Sequence, residues 1–131
     1  GRLDADTTGL LLLTDDGALN HRLTHPKHHI EKTYRVTLKH AVTEDFAERL
    51  LKGVVLKDEK APVKAEVCTI LSDRLITMTV TSGKYHQVKR MVAAAGNRVT
   101  ALHRESMGGL TIPENLAPGS WTWVFRFPWD S

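Results

Sequence analysis

The segment Asp4-Ala5-Asp6-Thr7-Thr8-Gly9 runs directly into Leu10-Leu11-Leu12-Leu13 and closes on Thr14-Asp15-Asp16-Gly17. Acids packed on both sides of an apolar run leave the chain few options. The leucines call for burial and the carboxylates for the ends, so the pattern predicts a buried strand over residues 9–14 between two turns. A carboxylate on a loop that a strand holds in place is a common way of presenting a nucleophile or a general base. Asp4 is the first candidate for chemistry.

Downstream, Asp16 is placed to cap a short helix over residues 18–24, with Leu19 and Leu23 on one face and His25-Pro26 as its stop. Residues 32–38 alternate polar with apolar or aromatic side chains, predicting a half-buried strand with Tyr34, Val36 and Leu38 on one face. Thr43-Glu44 opens a helix carrying Phe46, Ala47, Leu50 and Leu51 at helical spacing, closed by Gly53. A short strand is expected at 54–56, then a hairpin of 65–71 and 75–81 around Ser72-Asp73-Arg74. Residues 87–95 read as a helix with Val88, Met91, Val92 and Ala95 inward and Gly96-Asn97 as its stop. A strand follows at 99–104, and after Gly108-Gly109 a last one at 121–127, with Trp121, Trp123 and Phe125 on a core-facing side. This irregular alternation with hairpin-like pairs points to an α+β fold: a mixed, mostly antiparallel sheet with flanking helices.

At 131 residues the chain suffices for one domain with its own core. Its 41% apolar and 25% charged residues are those of an ordinary soluble globular protein. A single cysteine, Cys68, excludes an internal disulfide framework, and within Val67-Cys68-Thr69-Ile70 it reads as a buried, inert thiol suited to a reducing cytosol. No apolar run approaches the roughly 18 residues that span a bilayer. The net charge of +3 is unevenly placed. Residues 84–104 hold Lys84, Lys89, Arg90, Arg98 and Arg104 with no acid, and residues 21–40 hold five bases and five histidines against Glu31 alone. Such segregation suggests a positive face for a polyanion.

Three segments, Gly1-Arg2-Leu3-Asp4 through Gly17, Glu31-Lys32-Thr33-Tyr34, and Gly83-Lys84-Tyr85-His86-Gln87-Val88-Lys89-Arg90-Met91, resemble in order and spacing the motifs of the RsuA/RluB/RluE/RluF-type rRNA pseudouridine synthases. Leu102-His103-Arg104 and Met107-Gly108-Gly109-Leu110 match that family's later strand. The likeness is closest to the RsuA, small-subunit type. It implies the pseudouridine synthase catalytic fold over residues 1–131. Because the best motif starts at residue 1 with no initiator Met, we expect further strands upstream, and the family's usual S4-like RNA-binding domain beyond them.

The resemblance also implies a reaction: a uridine of ribosomal RNA, most closely 16S small-subunit rRNA, is isomerised to pseudouridine with no cofactor and no metal. The C1′–N1 bond breaks, the uracil turns, and C1′–C5 forms. Asp4 is the implied catalytic carboxylate, and Asp6 its neighbour with a loop-capping role. Lys89 is the implied cation: within about 4 Å it attracts a carboxylate by roughly 4 kcal/mol at an effective dielectric near 20. Tyr34 would stack on the extruded base, a contact of about 1–3 kcal/mol. Arg2 would meet a phosphate or fill the gap left by the flipped nucleotide. Val88 would form an apolar wall, His86 and Gln87 would orient the loop, and Lys32, Arg90 and Arg104 would contact RNA. The expected partner is ribosomal RNA or an assembling small ribosomal subunit, in the cytoplasm, for a monomer involved in rRNA processing and ribosome biogenesis. The alternative is an RNA-binding fragment of such an enzyme that does not catalyse.

Two other readings are weaker. Asp4-Ala5-Asp6-Thr7 also resembles the acid motif of haloacid-dehalogenase-type phosphatases, but there the acids follow the hydrophobic strand, and here they precede the apolar run. His25, His28 and His29 have no thiolate nearby, and no carboxylate at ligand spacing apart from Glu31, so they read as a solvated, RNA-facing cluster rather than a zinc site.

Overall fold

The computed structural model describes residues 2–84 and 86–124. Its centre is a sheet in the order β1-β5-β2-β4-β3, with β6 also on β5. The strands are β1 (Thr7–Gly9), β2 (Lys32–Leu38), β3 (Val67–Ser72), β4 (Leu75–Val80), β5 (Val99–Met107) and β6 (Leu110–Thr111). β1 runs parallel to β5, and every other pairing is antiparallel. The helices are α1 (Gly17–Thr24), α2 (Glu44–Lys52) and α3 (Gln87–Ala94). A mixed, mostly antiparallel α+β fold is what the alternation predicted.

The helices start where their capping chemistry says. Asp16 accepts hydrogen bonds from the backbone N–H groups of Ala18 and Leu19, and Thr43 accepts one from Phe46. Leu23 of α1, Phe46, Ala47 and Leu50 of α2, and Val88, Met91 and Val92 of α3 are buried. The core joins Phe46, Leu50, Val88, Met91 and Val92 to Val36, Leu38, Ile76, Met78, Val80 and Leu102 of the sheet. These sheet residues fall on one face because side chains alternate along a strand. Val36 lies opposite both Ile76 and Leu102, and Tyr34 opposite both Met78 and Arg104. On the other face Arg35 pairs with Glu105 at 3.0 Å, and Thr33 hydrogen-bonds Thr79 at 2.8 Å.

Between Thr33 and Tyr34 the register on β5 slips: Thr33 faces Ser106 but Tyr34 faces Arg104. Glu105 is the extra residue of a β-bulge. The slip turns both Met107 and Arg104, three positions apart, to the inner face, where strict alternation would put them on opposite faces.

Four expectations need correction. Residues 9–14 do not form a buried strand: β1 is only Thr7–Gly9, and Leu11 and Leu13 are 42% and 85% exposed. The sheet takes up the threonines because β5 offers backbone partners only opposite Leu102, His103 and Arg104. The segment 54–56 makes a single bridge, Val54 to Val63, rather than a strand. Residues 121–124 form no strand, and Trp121 and Trp123 are 71% and 72% exposed, their rings in an edge contact at 5.4 Å. Phe125 and the remainder of that call lie outside the described residues. Cys68 is only partly buried, although burial still pushes its thiol pKa up. No described helix is long and apolar enough to cross a membrane.

Candidate active site

The loop bearing Asp4 is built by backbone geometry. The Thr7 N–H donates to the Asp4 carbonyl at 2.9 Å, closing a turn that leads into β1. β1 can lie against β5 only because residue 9 is glycine: it has φ +113°, and a Cβ there would stand 2.2 Å from the Arg104 carbonyl oxygen. Leu10 N–H then donates to that same carbonyl at 2.9 Å. The Arg104 side chain, 2% exposed, ties down both ends of the loop. Its Nε donates to the Leu10 carbonyl at 2.9 Å and its Nη1 to the Arg2 carbonyl at 3.4 Å.

The opposite rim comes from the turn into α3. Gln87, 5% exposed, accepts through Oε1 from the Ser82 hydroxyl at 2.9 Å and from the Lys84 N–H at 3.1 Å. These bonds tie the 82–84 loop to the start of α3. His86 carries a left-handed backbone, φ 45°. Its Nε2 lies 3.5 Å from Asp4 Oδ1, so it touches the carboxylate as well as shaping the turn.

Lys89 Nζ lies 3.5 Å from Asp4 Oδ2 and 2.5 Å from Asp6 Oδ1. One ammonium thus serves two carboxylates. The hydrogen bond between Lys89 and Asp6 is the main reason the Asp6 pKa is lowered and the Lys89 pKa is raised. Asp6, expected to cap the loop, makes this ion pair as well, because the turn at residues 4–7 leaves both side chains within reach of one lysine.

The two rims enclose a cavity of about 560 Å³. Arg2, Asp4, Lys32, Tyr34, Val88 and Arg104 all line it, as do His86 and Gln87. Lys89 meets it through Asp4. Arg90 does not line it and pairs instead with Asp58 at 3.8 Å. Sequence reasoning missed Leu23 and Thr24, which bring α1 to the wall, and Thr7, whose hydroxyl is buried with no partner among the described residues. It also took Lys32 and Arg104 for ordinary RNA contacts, whereas both are buried, at 9% and 2% exposure. The period-two alternation of β2 carried the signal for Lys32, since it places Lys32 on the face of Tyr34 and Val36. No group of His, Cys, Asp and Glu among the described residues could hold a metal ion. His21, His25 and His28 pack their exposed rings together, with centroids 4.7 to 6.2 Å apart.

The chain is similar to known proteins. The family model for RNA pseudouridylate synthase matches residues 1–94. Ribosomal small subunit pseudouridine synthase A of Escherichia coli (strain K12) is 53% identical over 121 residues, which are 92% of this chain and 52% of that protein. The protein of the same name from Haemophilus influenzae is 50% identical over 121 residues, with the same coverage. A solved structure described as a crystal structure of pseudouridylate synthase superposes with a TM-score of 0.85 at 52% identity, covering 89% of this chain and 51% of that one. The chain thus spans about half the length of the curated relatives it matches. With the family's model covering the carboxylate loop, the tyrosine strand and the lysine helix together, this chain belongs to the RNA pseudouridylate synthase family.

Proposed function

We propose that the chain carries the catalytic centre of an enzyme that isomerises a uridine of ribosomal RNA to pseudouridine, with small-subunit rRNA, free or in an assembling subunit, as the substrate. The observation that carries this reading is the Asp4 carboxylate in a cavity wall, 3.5 Å from an ammonium contributed by a distant helix. The ammonium fixes where the carboxylate points, towards the cavity that would receive the substrate. In this reading Asp4 acts at the sugar–base junction, Lys89 and His86 hold its orientation, and Tyr34 stacks on the everted uracil against the apolar wall of Val88. Arg2, exposed at the mouth, meets the RNA backbone. The product is an isomer of the substrate, so neither water nor a cofactor need enter the balance.

Transcripts of small- and large-subunit rRNA labelled with 5-³H-uridine test the proposal, since C5 gives up its hydrogen only when C1′–C5 forms. Wild type is expected to release tritium from the small-subunit transcript, and Asp4→Asn to release none while still binding RNA. RNA binding by wild type without release would replace the enzyme with a non-catalytic RNA-binding domain.

A further inference from the structure

The cavity floor carries more positive charge than the site described above uses. Lys32, Tyr34 and Arg104 share the inner face of the sheet, Lys32 and Tyr34 two apart on β2 and Arg104 directly opposite Tyr34 on β5. No described residue accepts a hydrogen bond from the Lys32 ammonium or forms an ion pair with it, although the residue is 9% exposed. Burial is the main reason its pKa is lowered, and the nearby Arg104 charge adds to the effect. Arg104 spends Nε and Nη1 on loop carbonyls, but its Nη2 is buried with no partner among the described residues, as is the Thr7 hydroxyl. The anions close to the cavity are engaged elsewhere: Asp4 with Lys89 and His86, Asp6 with Lys89, and Glu59 with Lys84.

A buried Arg104 Nη2 and Thr7 hydroxyl without an acceptor, with a largely buried ammonium whose charge is felt by Arg104, are costly unless a ligand supplies an acceptor. We propose that Lys32 and the free Arg104 Nη2 form a subsite for the ring oxygens of the uracil, stabilising it as the departing pyrimidine anion. This rests on the proposed reaction and adds to it the groups that receive the leaving base. Whether Asp4 adds to C1′ or removes a sugar proton, the electron pair of the C1′–N1 bond leaves with the base and spreads over N1 and the ring oxygens. Donors fixed beforehand where that charge appears lower the barrier. The same charge holds the free base in place until its C5 bonds to C1′, after which the C5 proton is lost and N1 regains one. A backbone phosphate fits the floor less well, because the sugar–phosphate chain of an everted nucleotide stays at the mouth, beside Arg2.

The test is Lys32→Met, with Lys32→Arg as the charge-keeping control. For Lys32→Met, kcat for tritium release is expected to fall by about 100-fold or more, with RNA affinity and its salt dependence unchanged. The melting temperature should stay level or rise, because an unpaired buried charge has gone. A purely structural lysine would lower it instead, and that outcome overturns the proposal. Weaker RNA binding with a salt slope reduced by about one would assign Lys32 to a phosphate and also overturn it. A second readout needs no turnover: barbiturate, a planar pyrimidine anion with its charge on ring oxygens, should raise the melting temperature of wild type but not of Lys32→Met. Inorganic phosphate at equal ionic strength should raise neither. Barbiturate binding without tritium release from wild type would remove the proposed reaction and leave the subsite standing. Release by wild type with no barbiturate effect and an active Lys32→Met would do the reverse.

Discussion

Replacing Gly9 by alanine isolates the close backbone approach that positions Asp4 without removing any side chain placed in the chemistry. The new Cβ would begin 2.2 Å from the Arg104 carbonyl oxygen, 2.7 Å from its nitrogen and 2.9 Å from its carbonyl carbon. Relief to an ordinary contact requires β1 to retreat from β5 by about 1 Å or more. Alanine at φ +113° adds about 1–2 kcal/mol of backbone strain. Retreat also loosens the Leu10 N–H bond to Arg104, about 1 kcal/mol more. Because β1 has three residues and lies at the sheet edge, peeling it away is cheaper than unfolding the domain. Asp4 moves with it, and the 3.5 Å approach to Lys89 is lost. A misplacement of about 1 Å can reduce catalysis by about 100-fold. Gly9→Ala is therefore expected to reduce kcat for tritium release by about two orders of magnitude, with a smaller loss in melting temperature, up to about 10 °C. Gly17→Ala is the control: nothing lies within 4 Å of its Cβ, and activity and melting temperature should match wild type. Wild-type activity and melting temperature in Gly9→Ala would refute the argument that this close approach holds the loop.

Two further predictions concern charge. Lys89→Met leaves Asp4 and Asp6 facing each other without their cation, and kcat should fall by about 100-fold while Lys89→Arg keeps more of it. Since Lys89 holds the Asp6 carboxyl below its usual 3.8, its contribution is present above that pH and lost as pH falls through the folded value. Acid melting curves of wild type should thus drop more steeply below about pH 4 than those of Lys89→Met. For Lys32 it is the charged form that folding disfavours: its pKa is lowered from 10.5, so the unfolded chain binds more protons in the window below 10.5, and stability rises with pH there too. The melting-temperature advantage of Lys32→Met should therefore shrink between neutral pH and pH 10.5, and an advantage constant with pH would count against a buried charged lysine.

Local rules carried much of the fold. The Asp16 and Thr43 caps, the hairpin turn at Asp73 and Arg74, and the alternation of β2 depend on neighbours within a few residues, so the order of residues is enough to predict them. The leucine run misled because hydrophobicity states a preference for burial and cannot say whether a partner surface exists. Only the pairing of β5 shows that β1 ends at Gly9 and leaves Leu11 and Leu13 exposed. Trp121 and Trp123 failed for the same reason.

For the candidate site, the chemically distinctive residues Asp4, Tyr34, Gln87, Val88 and Lys89 could be singled out from motif order alone. Their convergence could not, because it depends on contacts between residues some 85 positions apart. The sharing of Lys89 between two carboxylates and the burial of Lys32 and Arg104 emerge only when β2, β5 and α3 are assembled. The bulge at Glu105 is the clearest case. Alternation along β5 sends Arg104 and Met107 to opposite faces, and one extra residue in the ladder brings both inside. Order along the chain determines which side chains are available and which local turns present them. Register between strands decides which of them meet, since a shift of one residue exchanges the two faces of a sheet.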